Sequence, residues 1–381
     1  MDFALSEEQQ AIFDMAHAFG QDRIAPHARN WERDGTIPRD LWPDVAALGL
    51  GGVYVSEDVG GAGLSRLEGT LVFEALAMAC PSVGSFLSIH NMCGGMIDGF
   101  ASDEMRARLL PDLCAMTRIY SYCLTEPGSG SDAAALRTRA ERTAAGWRLN
   151  GAKAFISGGG YSDAYVTMVR TGGDGPRGIS AVVVPDGSPG LSFGAPEDKM
   201  GWRAQPTSLV QFDDCEIAAD ALLGEEGRGF AYAMAGLDGG RLNIAASALG
   251  GAQAALDRTI GYMRERRAFG TTLDQFQALQ FRLAEMETAL QSARILLRQA
   301  AWKLDQRAPD ATRFCAMAKL HVTDRAFEVA NQCLQLHGGY GYLADYGIEK
   351  IVRDLRVHQI LEGTNEIMRL IIGRALLAER S

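Results

Sequence analysis

Apolar positions recur every three to four residues in the first third of the chain, and this spacing predicts helices. The predicted helices cover residues 6–18, 39–49, 65–80, 82–100 and 102–116. Ser6 followed by Gln9 is typical of a capping box at the start of the first helix. Pro111 lies in the middle of the last one and predicts a break there. The glycine-rich stretch GGVYVSEDVGGAGLS is predicted to be a turn region between the second and third helices.

The pattern changes between about residues 119 and 222, where short runs rich in Val, Ile, Tyr and Phe predict strands. These runs cover residues 134–143, 147–157, 163–171, 178–184, 191–194 and 207–217. Ala144-Ala145-Gly146 separates the first two runs and is a hairpin signal. Because no helical pattern alternates with the strands, this part is predicted to be a small, barrel-like all-β domain.

Helical spacing returns after about residue 223. Apolar stripes predict helices over residues 242–263, 283–304, 310–336, 348–355 and 367–376. The second of these has the 3.5-residue period of a bundle seam. Asp310 can cap the third helix, which is predicted to end at Gly338-Gly339.

Together these patterns predict an α+β fold in three domains. They are an N-terminal α-helical domain over 1–118, a middle β-domain over 119–222, and a C-terminal four-helix bundle over 223–381. A chain of 381 residues exceeds the roughly 250–300 residues at which a single core stops growing, and this agrees with several domains.

Composition excludes several classes of protein. The net charge of −10 argues against a protein that binds nucleic acid or an anionic membrane surface. No uncharged run approaches the ~18–20 residues of a transmembrane helix. The six histidines are scattered and no HExxH motif is present, so no metal site is predicted.

The cysteines and the N-terminus bear on the compartment. The seven cysteines are widely spaced and form no CxxC pair, which predicts buried free thiols in a reducing compartment. The N-terminal sequence MDFALSEEQQ is acidic and polar, unlike a signal peptide or an Arg-rich transit peptide. A cytoplasmic protein is therefore expected, or a mitochondrial matrix protein if a presequence has been removed.

The stretch HQILEGTNEIMR joins the last two predicted helices. Glu362 lies between apolar residues and a Gly363-Thr364 turn, and Thr364 can cap the final helix. Burial against apolar surface would disfavour the charged form of the Glu362 carboxyl and make it a stronger base near neutral pH. A solvated loop glutamate is the alternative interpretation, and the neighbouring Glu366 suits the positive end of a helix dipole.

Four other stretches carry groups that can bind a ligand: YCLTEPGSGSD, KAFISGGG, RERRAFG with FQALQF, and QLHGGYGY. The glycines and hydroxyls of the first offer a nest for a phosphate or the edge of a heterocycle. In the second, an aromatic followed by Ser two residues later places both side chains on one face of a strand. The arginines of the third suit a diphosphate. Taken alone, each stretch also has a structural explanation: a Gly/Ser loop, a core Phe, a solvated helix end and a glycine C-cap.

In this order the stretches resemble the acyl-CoA dehydrogenase family. YCLTEPGSGSD is similar to the family's first signature, and the segment from QLHGGYGY to LEGTNE is similar to its second. LSEEQ and GGAGLS also resemble it, so the resemblance covers residues 3–378. It implies an acyl-CoA dehydrogenase-like fold of α, β and α domains, and bound FAD.

The resemblance implies a reaction as well. Glu362 matches the family's catalytic base, which removes the α-proton of an acyl-CoA thioester while a hydride leaves the β-carbon for flavin N5. The family holds the thioester oxygen against the backbone N–H of this residue and a ribityl hydroxyl of FAD. Such contacts are needed because a carboxylate removes this weakly acidic proton only if the developing enolate is stabilised.

The resemblance further implies which residues hold the ligands. The residues that match FAD contacts are Tyr122, Leu124, Thr125, Gly130, Ser131, Phe155, Ile156, Ser157, Arg266, Phe269, Phe276, Gln277, Gln335, Gly339, Thr364 and Glu366. The residues that match the acyl-CoA side are Ser131, Asp238, Gly239, Gly240, Arg241 and Arg374. Gln335 and Gly339 match contacts made across a subunit interface, which implies a homo-oligomer, a homotetramer by resemblance.

The chain departs from the family pattern at a few positions. Phe155 and Ser157 stand where many members have Trp and Thr, conservative changes that leave FAD binding implied. Some members hold their base immediately before the position of Arg241, where this chain has Gly240. Glycine has no proton acceptor in its side chain, so Glu362 is the only matched base.

Several motifs, among them KAFISGGGYSDAYVTMVRTG and GWRAQPTSLVQFDDC, resemble members that oxidise a short branched acyl-CoA, isobutyryl-CoA of valine breakdown. Leu361 stands where many members have Tyr, and we expect this loss of bulk, with Gly239 and Gly240, to make room for an α-methyl group. An electron-transfer flavoprotein is the expected acceptor. The alternatives are 2-methylbutyryl-CoA or a short straight chain as substrate, an oxidase that uses O2, or a non-catalytic flavin-binding scaffold.

Overall fold

Helices fill the first third of the chain, as the apolar spacing predicts. The computed structural model describes residues 4–378, and its N-terminal helices are α1 (Glu7–Phe19), α2 (Ala28–Asp34), α3 (Trp42–Ala47), α4 (Arg66–Ala79), α5 (Pro81–Phe100) and α6 (Asp103–Cys114). The predicted capping box is confirmed, because Ser6 Oγ accepts the Gln9 N–H at 3.1 Å and Gln9 Oε1 accepts the Ser6 N–H at 3.2 Å. Short 3₁₀ turns occupy the glycine-rich segment between α3 and α4.

The predicted break at Pro111 is wrong, because α6 continues through it to Cys114. A proline inside a helix leaves the carbonyl four residues earlier, here that of Ala107, without its N–H partner. Pro111 and Ala107 are both exposed, so water can bond the freed carbonyl. The cost of the proline is therefore small near this end of the helix.

The middle of the chain forms one eight-stranded sheet, and its order is β6-β7-β3-β2-β4-β5-β8, with β1 paired to β4. The strands are β1 (Tyr120–Cys123), β2 (Arg139–Arg142), β3 (Gly146–Ser157), β4 (Ala164–Arg170), β5 (Ile179–Pro185), β6 (Leu191–Phe193), β7 (Thr207–Ala218) and β8 (Leu222–Leu223). The hairpin at Ala144-Ala145-Gly146 is confirmed, since β2 and β3 pair antiparallel. β1 was not predicted; it pairs parallel to β4.

The first predicted strand begins later than expected. It was predicted over 134–143, but residues 133–135 form a 3₁₀ turn and β2 starts at Arg139. The Glu126 carboxylate accepts the backbone N–H groups of Arg137 and Thr138 at 2.6 and 2.9 Å. These donors are then lost to the sheet, so the strand begins only after them.

Helices return in the last part of the chain, and the order helices, sheet, helices is confirmed. They are α7 (Gly229–Glu265), α8 (Gln277–Asp305), α9 (Ala311–Leu336), α10 (Ile348–Arg356) and α11 (Asn365–Ala378), with a small hairpin of β9 (Arg267–Ala268) and β10 (Thr271–Thr272) between α7 and α8. Asp310 is the N-cap residue of α9, but its carboxylate accepts from the side chains of Lys303, at 2.8 and 2.9 Å, and Arg313, at 3.4 Å, and makes no capping bond to the helix backbone.

The long helix α7 crosses the main hydrophobic core, where α4, α5, α8 and α9 pack against it. At Gly250 the approach to α4 is so close that a Cβ would lie 2.0 Å from the Glu74 carbonyl oxygen. α7 thus carries residues 238–241 into the interior, beside the segment that precedes α11. None of the helices over residues 4–378 combines the length and apolarity needed to span a membrane.

Candidate active site

Glu362 lies in a tight turn between two helical segments. Residues Val357–Gln359 form a 3₁₀ turn, and α11 begins at Asn365. Between them, Glu362 and Gly363 both adopt the left-handed region, with φ of 55° and 86°. This conformation is unfavourable for a glutamate, so the surrounding contacts have to hold the turn.

The carboxyl group of Glu362 is shielded from water, although the residue as a whole is only partly buried. Its Oε2 is inaccessible and has no hydrogen-bond partner among residues 4–378. Burial raises the pKa of Glu362 to about 7, and the positive charges of Arg241 and Lys319 oppose this rise. A carboxyl with this pKa can accept a proton near neutral pH.

The Glu362 carboxyl lies against Gly240 of α7. A Cβ atom on residue 240 would stand 2.6 Å from Oε2, 3.0 Å from Cδ and 3.1 Å from Oε1. Real Cβ atoms do not come this close, so a side chain at 240 would displace the carboxyl. Gly240 therefore provides the space that the Glu362 carboxyl occupies.

Asp238 and Arg241 form a buried ion pair one helical turn apart on α7. Arg241 Nη1 and Asp238 Oδ1 are 2.5 Å apart, and Thr312 Oγ1 donates to Asp238 Oδ2 at 2.6 Å. Arg241 Nε also donates to the Glu362 carbonyl at 3.4 Å. Asp238 thus orients Arg241, which contacts the backbone of the Glu362 turn.

Lys319 of α9 contacts the same turn, and the sequence analysis did not single it out. It is fully buried, and its Nζ donates to the Gly363 carbonyl at 2.8 Å and to Asn365 Oδ1 at 2.9 Å. Burial lowers the pKa of Lys319 to about 7, and the Glu362 carboxylate opposes this. The available signal was a lysine on the buried stripe of α9, one turn before Val322 and Thr323.

The segment before Glu362 is anchored through His358. Its Nε2 accepts the Trp202 indole N–H at 3.2 Å, and its Nδ1 lies 3.2 Å from the Ile244 carbonyl of α7. Trp202 belongs to the loop before β7, and its backbone N–H donates to Asp354 Oδ1 at 2.6 Å. Burial lowers the pKa of His358 to about 3, so the ring stays neutral and donates from Nδ1. The β-domain and α7 thus hold this segment together.

After the turn, the predicted cap of α11 is confirmed, because Thr364 Oγ1 accepts the Ile367 N–H at 3.3 Å. Glu366 is exposed, and a hydrogen bond from its own backbone N–H lowers its pKa. Arg369 lies 3.4 Å from the Glu366 carboxylate. Glu366 is therefore an ordinary acid at a helix N-terminus, and its carboxyl does not compete with Glu362 as a base.

The first signature begins on β1 and brings Tyr122 toward Glu362. The Tyr122 hydroxyl is buried and has no partner within the described residues. Burial raises the pKa of Tyr122, and the next largest influence on it is the Glu362 carboxyl, so the two groups lie near each other. Farther along, the Thr125 carbonyl accepts the Ala154 N–H at 2.8 Å, and Gly130 and Ser131 are exposed.

A buried ion pair fixes the signature loop to β3. Lys153 Nζ lies 2.8 Å from Glu126 Oε1 and donates to the Leu124 carbonyl at 3.0 Å. Lys153 is fully buried, and the Glu126 carboxylate is further bonded to two backbone N–H groups. The sequence analysis quoted both residues without assigning this role, because two charges 27 positions apart carry no pattern.

Phe155, Ile156 and Ser157 lie at the end of β3. Phe155 is 70% exposed, with φ of 59°, and Ile156 between the other two is buried. The pairing of β3 with β7 is irregular between Lys153 and Ile156, which accounts for the unusual backbone. Phe155 is therefore not a core phenylalanine; its ring lies open beside the loop that carries Thr125.

A second group of the predicted residues gathers at the other end of α7. Arg266 stacks on Tyr340 at 5.1 Å and lines, with Gly339, a cavity of about 400 Å³. Phe269 is 97% exposed and lies edge-on to Phe276, with 6.3 Å between ring centroids. Gln277 and Gln335 are exposed residues at the start of α8 and near the end of α9.

The structure does not bring these two groups together within one chain. Arg241 and Glu265 lie 24 residues apart on α7, which corresponds to about 36 Å of helix. Arg374 is exposed on α11, and a Cβ on Gly239 would meet the Arg66 guanidinium at 2.4 Å. No cluster of three or more metal-binding side chains occurs in the part of the chain that the structure describes.

Three family models together match most of this chain. The N-terminal domain of acyl-CoA dehydrogenase matches residues 6–117, the middle domain residues 121–215 and the C-terminal domain residues 227–377. The chain belongs to the acyl-CoA dehydrogenase family. It is a flavin-dependent oxidoreductase with acyl-CoA dehydrogenase activity.

Relatives and solved structures agree with the family. The chain is 53% identical to isobutyryl-CoA dehydrogenase, mitochondrial, of Bos taurus over 98% of this chain and 90% of the relative. It is 50% identical to the protein of the same name in Dictyostelium discoideum, with the same coverage. Butyryl-CoA dehydrogenase from Megasphaera elsdenii superimposes with a TM-score of 0.95 at 37% identity, covering 99% of this chain and all of that one.

Acyl-CoA dehydrogenases bind FAD, and the residues present here fit it. A similar structure, described as "PigA with FAD and proline", has a TM-score of 0.94 at 30% identity and covers 99% of each chain. In this acyl-CoA dehydrogenase, the open Phe155 ring offers a surface to a planar heterocycle, and the exposed Arg266 offers a cation to a diphosphate. Exposed aromatics at both places are explained if a ligand covers them.

Proposed function

We propose that this enzyme introduces the α,β-double bond into a short branched acyl-CoA, isobutyryl-CoA of valine breakdown, with Glu362 as the catalytic base. One observation carries the proposal: the Glu362 carboxyl is desolvated, has an inaccessible oxygen without a hydrogen-bond partner among the described residues, and has a pKa raised to about 7. A structural glutamate would be paired or exposed. The proposed substrate is the one in the names of the two relatives at 53% and 50% identity.

The chain's own groups account for the proton step. The ionised Glu362 carboxylate takes the α-proton, and the α,β-double bond forms as a hydride leaves the β-carbon. The carbonyls of Glu362 and Gly363 are occupied by Arg241 and Lys319, whereas the Glu362 N–H has no acceptor among the described residues. This N–H is the donor for the thioester oxygen, and it stabilises the negative charge that develops there. Bound FAD supplies the hydride acceptor.

The branch of the acyl chain is accommodated at Leu361. Leu361 adjoins the base and is partly buried. The space beside Gly240 is filled by the Glu362 carboxyl and that beside Gly239 by the Arg66 guanidinium, so the room for the α-methyl group is assigned to Leu361 alone. A Leu361→Tyr variant is expected to lower kcat/KM for isobutyryl-CoA more than for n-butyryl-CoA, because the ring fills the space of the α-methyl group. Ile360→Tyr, at the half-exposed neighbouring position, is the matched control and is expected to leave the ratio unchanged. An unchanged ratio in Leu361→Tyr removes this assignment.

The two groups of FAD residues support an assembly of several subunits. Because they lie about 36 Å apart along α7, one FAD molecule cannot contact both groups in a single chain. We infer that Arg266, Phe269 and Gln335 contact the FAD of a partner subunit, in the homotetramer that the family resemblance implies. Sedimentation of the holoenzyme tests the number of subunits, and a monomer that retains FAD refutes the inference.

The acceptor and the compartment follow from the same family. An electron-transfer flavoprotein is the proposed acceptor, and an oxidase that uses O2 is the alternative. The mitochondrial matrix is the proposed compartment if a presequence is removed, as the names of the two relatives indicate, and the cytoplasm otherwise. Oxygen consumption compared with dye or flavoprotein reduction separates dehydrogenase from oxidase.

One experiment tests the reaction and the substrate together. The holoenzyme is titrated anaerobically with a panel of acyl-CoA thioesters, straight and branched, and bleaching of the flavin is recorded. Isobutyryl-CoA is expected to bleach it fastest, and Glu362→Gln is expected to bind the same thioesters without bleaching. Faster bleaching by 2-methylbutyryl-CoA or n-butyryl-CoA reassigns the substrate, and full turnover in Glu362→Gln removes the base.

A further inference from the structure

Lysine is rare in this chain, and none of its lysines is exposed. Five of the 37 basic residues are lysines, at positions 153, 199, 303, 319 and 350, and the remaining 32 are arginines. Lys153, Lys303 and Lys350 each pair with a carboxylate. Lys199 and Lys319 have no carboxylate within ion-pair distance among the described residues. Of these two, only Lys319 is fully buried.

The environment of Lys319 makes a purely structural role costly. A buried ammonium without a counter-charge loses its hydration, and two neutral acceptors compensate for only part of that loss. A methionine would fill the same space in the core without this cost. The positive charge at position 319 therefore needs another explanation. The hydrogen bonds of Lys319 to the Glu362 turn suggest one.

The contacts of Lys319 converge on the turn from α9. Nζ donates to the Gly363 carbonyl and to Asn365 Oδ1. The Asn365 amide in turn donates to Thr323 Oγ1 at 3.0 Å and to Asp324 Oδ1 at 2.7 Å. Three residues of one helix thus hold Gly363 and Asn365, which lie one and three positions after the base. This arrangement restrains the unfavourable left-handed backbone at Glu362.

The charges around the turn also single out Lys319. The groups that influence it are Glu362, Arg241, Asp324 and Glu366. Arg241 is neutralised by Asp238 at 2.5 Å, whereas Lys319 has no such ion-pair partner in the part of the chain that the structure describes. The uncompensated positive charge beside the Glu362 carboxyl is therefore that of Lys319.

We propose that Lys319 is a positioning residue for the base: its buried ammonium holds the turn that carries Glu362 and keeps the Glu362 carboxyl ionised when the substrate excludes water. The proposal rests on the proposed function in that it takes Glu362 to be the base. Loss of the charge would leave the carboxyl desolvated without a compensating cation. The base would then be protonated over a wider range of pH.

Lys319→Met tests this in the holoenzyme. The pH at which kcat falls to half on the acid side is expected to rise by about one unit, which lowers kcat about tenfold below that pH, with little change in KM. Lys303→Met is the matched control, because it also removes a largely buried ammonium, one that pairs with Asp310 and not with the turn. It is expected to leave that pH unchanged. A Lys319→Met enzyme with the parent's pH dependence overturns the proposal, whatever its thermal stability.

Asn365→Ala tests the same contact by removing an acceptor of Lys319 while the lysine itself is kept. It removes one of the two acceptors of Lys319, so the same shift in pH dependence is expected at smaller size. If Lys319→Met does not fold, Asn365→Ala decides the question. An Asn365→Ala enzyme in which kcat falls to half at the same acidic pH as in the parent overturns the proposal.

A double-mutant cycle of Lys319→Met, Glu362→Gln and the double variant is measured by unfolding and does not depend on enzyme activity. At pH 7, where both the Lys319 ammonium and the Glu362 carboxylate are populated, the unfolding equilibrium constants are expected to show a coupling of about tenfold between the two positions. Absence of coupling overturns the electrostatic link. If the enzyme is bleached by no acyl-CoA, the proposed function fails, and this cycle still decides whether Lys319 supports the charge of Glu362.

Discussion

Gly240→Ala adds a single methyl group at the point where α7 meets the Glu362 carboxyl. The new Cβ would lie 2.6 Å from Glu362 Oε2, and ordinary contacts of this kind begin at 3.4 Å, so the oxygen has to retreat by about 0.8 Å. Displacement of a reacting group by about 1 Å can reduce the rate roughly 10²-fold. We therefore expect kcat to fall by about two orders of magnitude.

The same substitution is expected to leave the protein folded. Alanine in a helix interior is more favourable than glycine by roughly 0.5–1 kcal/mol, and the group that has to move is the end of a flexible side chain. The free energy of unfolding is expected to stay within about 1 kcal/mol of the parent. Activity and stability should thus separate, which a general packing defect would not produce.

The assay is steady-state dye reduction with isobutyryl-CoA, together with denaturant unfolding of the same preparations. Gly261→Ala is the matched control, because it lies on the same helix and a Cβ there meets nothing within 4 Å. It is expected to gain helix stability and keep full kcat. A Gly240→Ala enzyme with the parent's kcat would show that the Glu362 carboxyl does not work from the position described, and the reasoning from its geometry would fail.

Three further outcomes follow from the structure. The pKa of Glu362 is raised from 4.5 to about 7 in the folded chain, so ionisation of this carboxyl lowers the free energy of unfolding as the pH rises from 4.5 to 7. Glu362→Gln is therefore expected to be more stable than the parent by about 3 kcal/mol at pH 8 and equally stable below pH 4.5. Denaturant unfolding at a series of pH values measures this difference. Lys153→Met leaves Glu126 buried and unpaired, so we expect a loss of about 3–5 kcal/mol of unfolding free energy, partly restored by adding Glu126→Gln. All seven cysteines are buried, so a thiol reagent is expected to label none of them in the native enzyme and all of them in denaturant; rapid labelling before unfolding would contradict the packing.

Local signals in the sequence were sufficient for most of the helices and for one hairpin. The capping box at Ser6 and the cap at Thr364 depend on residues three positions apart, and both are confirmed. The stripe over 348–355 likewise becomes α10. These features are decided by neighbours along the chain, so pattern and propensity are enough to predict them.

The errors have a common physical cause in contacts between distant residues. β1 pairs with a strand that lies more than 40 residues away, and the late start of β2 is due to the Glu126 carboxylate. The Asp310 carboxylate bonds Lys303 and makes no capping bond to the backbone of its own helix. A periodic pattern contains none of these pairings, so the sequence could not indicate them.

The candidate site divides in the same way. Glu362 could be proposed from its turn and flanking residues, and the structure adds the desolvation that a base requires. The contact of Lys319 with the turn and the close approach of Gly240 could not be proposed, because α7 and α9 meet the turn only in the folded chain, although a lysine on the buried stripe of α9 was visible in the sequence. The local sequence thus indicated the base, whereas the contacts of Lys319 and Gly240 that position it appear only in the folded chain.

Several locally unfavourable features coincide around one carboxyl group. A glutamate adopts the left-handed backbone, and a glycine interrupts the middle of a long helix. Within residues 4–378, a buried carboxyl oxygen has no hydrogen-bond partner and a buried lysine has no ion-pair partner. Each feature costs of order 1 kcal/mol or more when considered alone. Their costs would be avoided by a paired or exposed residue at 362, an alanine at 240 and an apolar residue at 319. Because all of them lie at Glu362 or contact its turn, the simplest physical explanation is that stability has been given up at this point to keep one desolvated base in place.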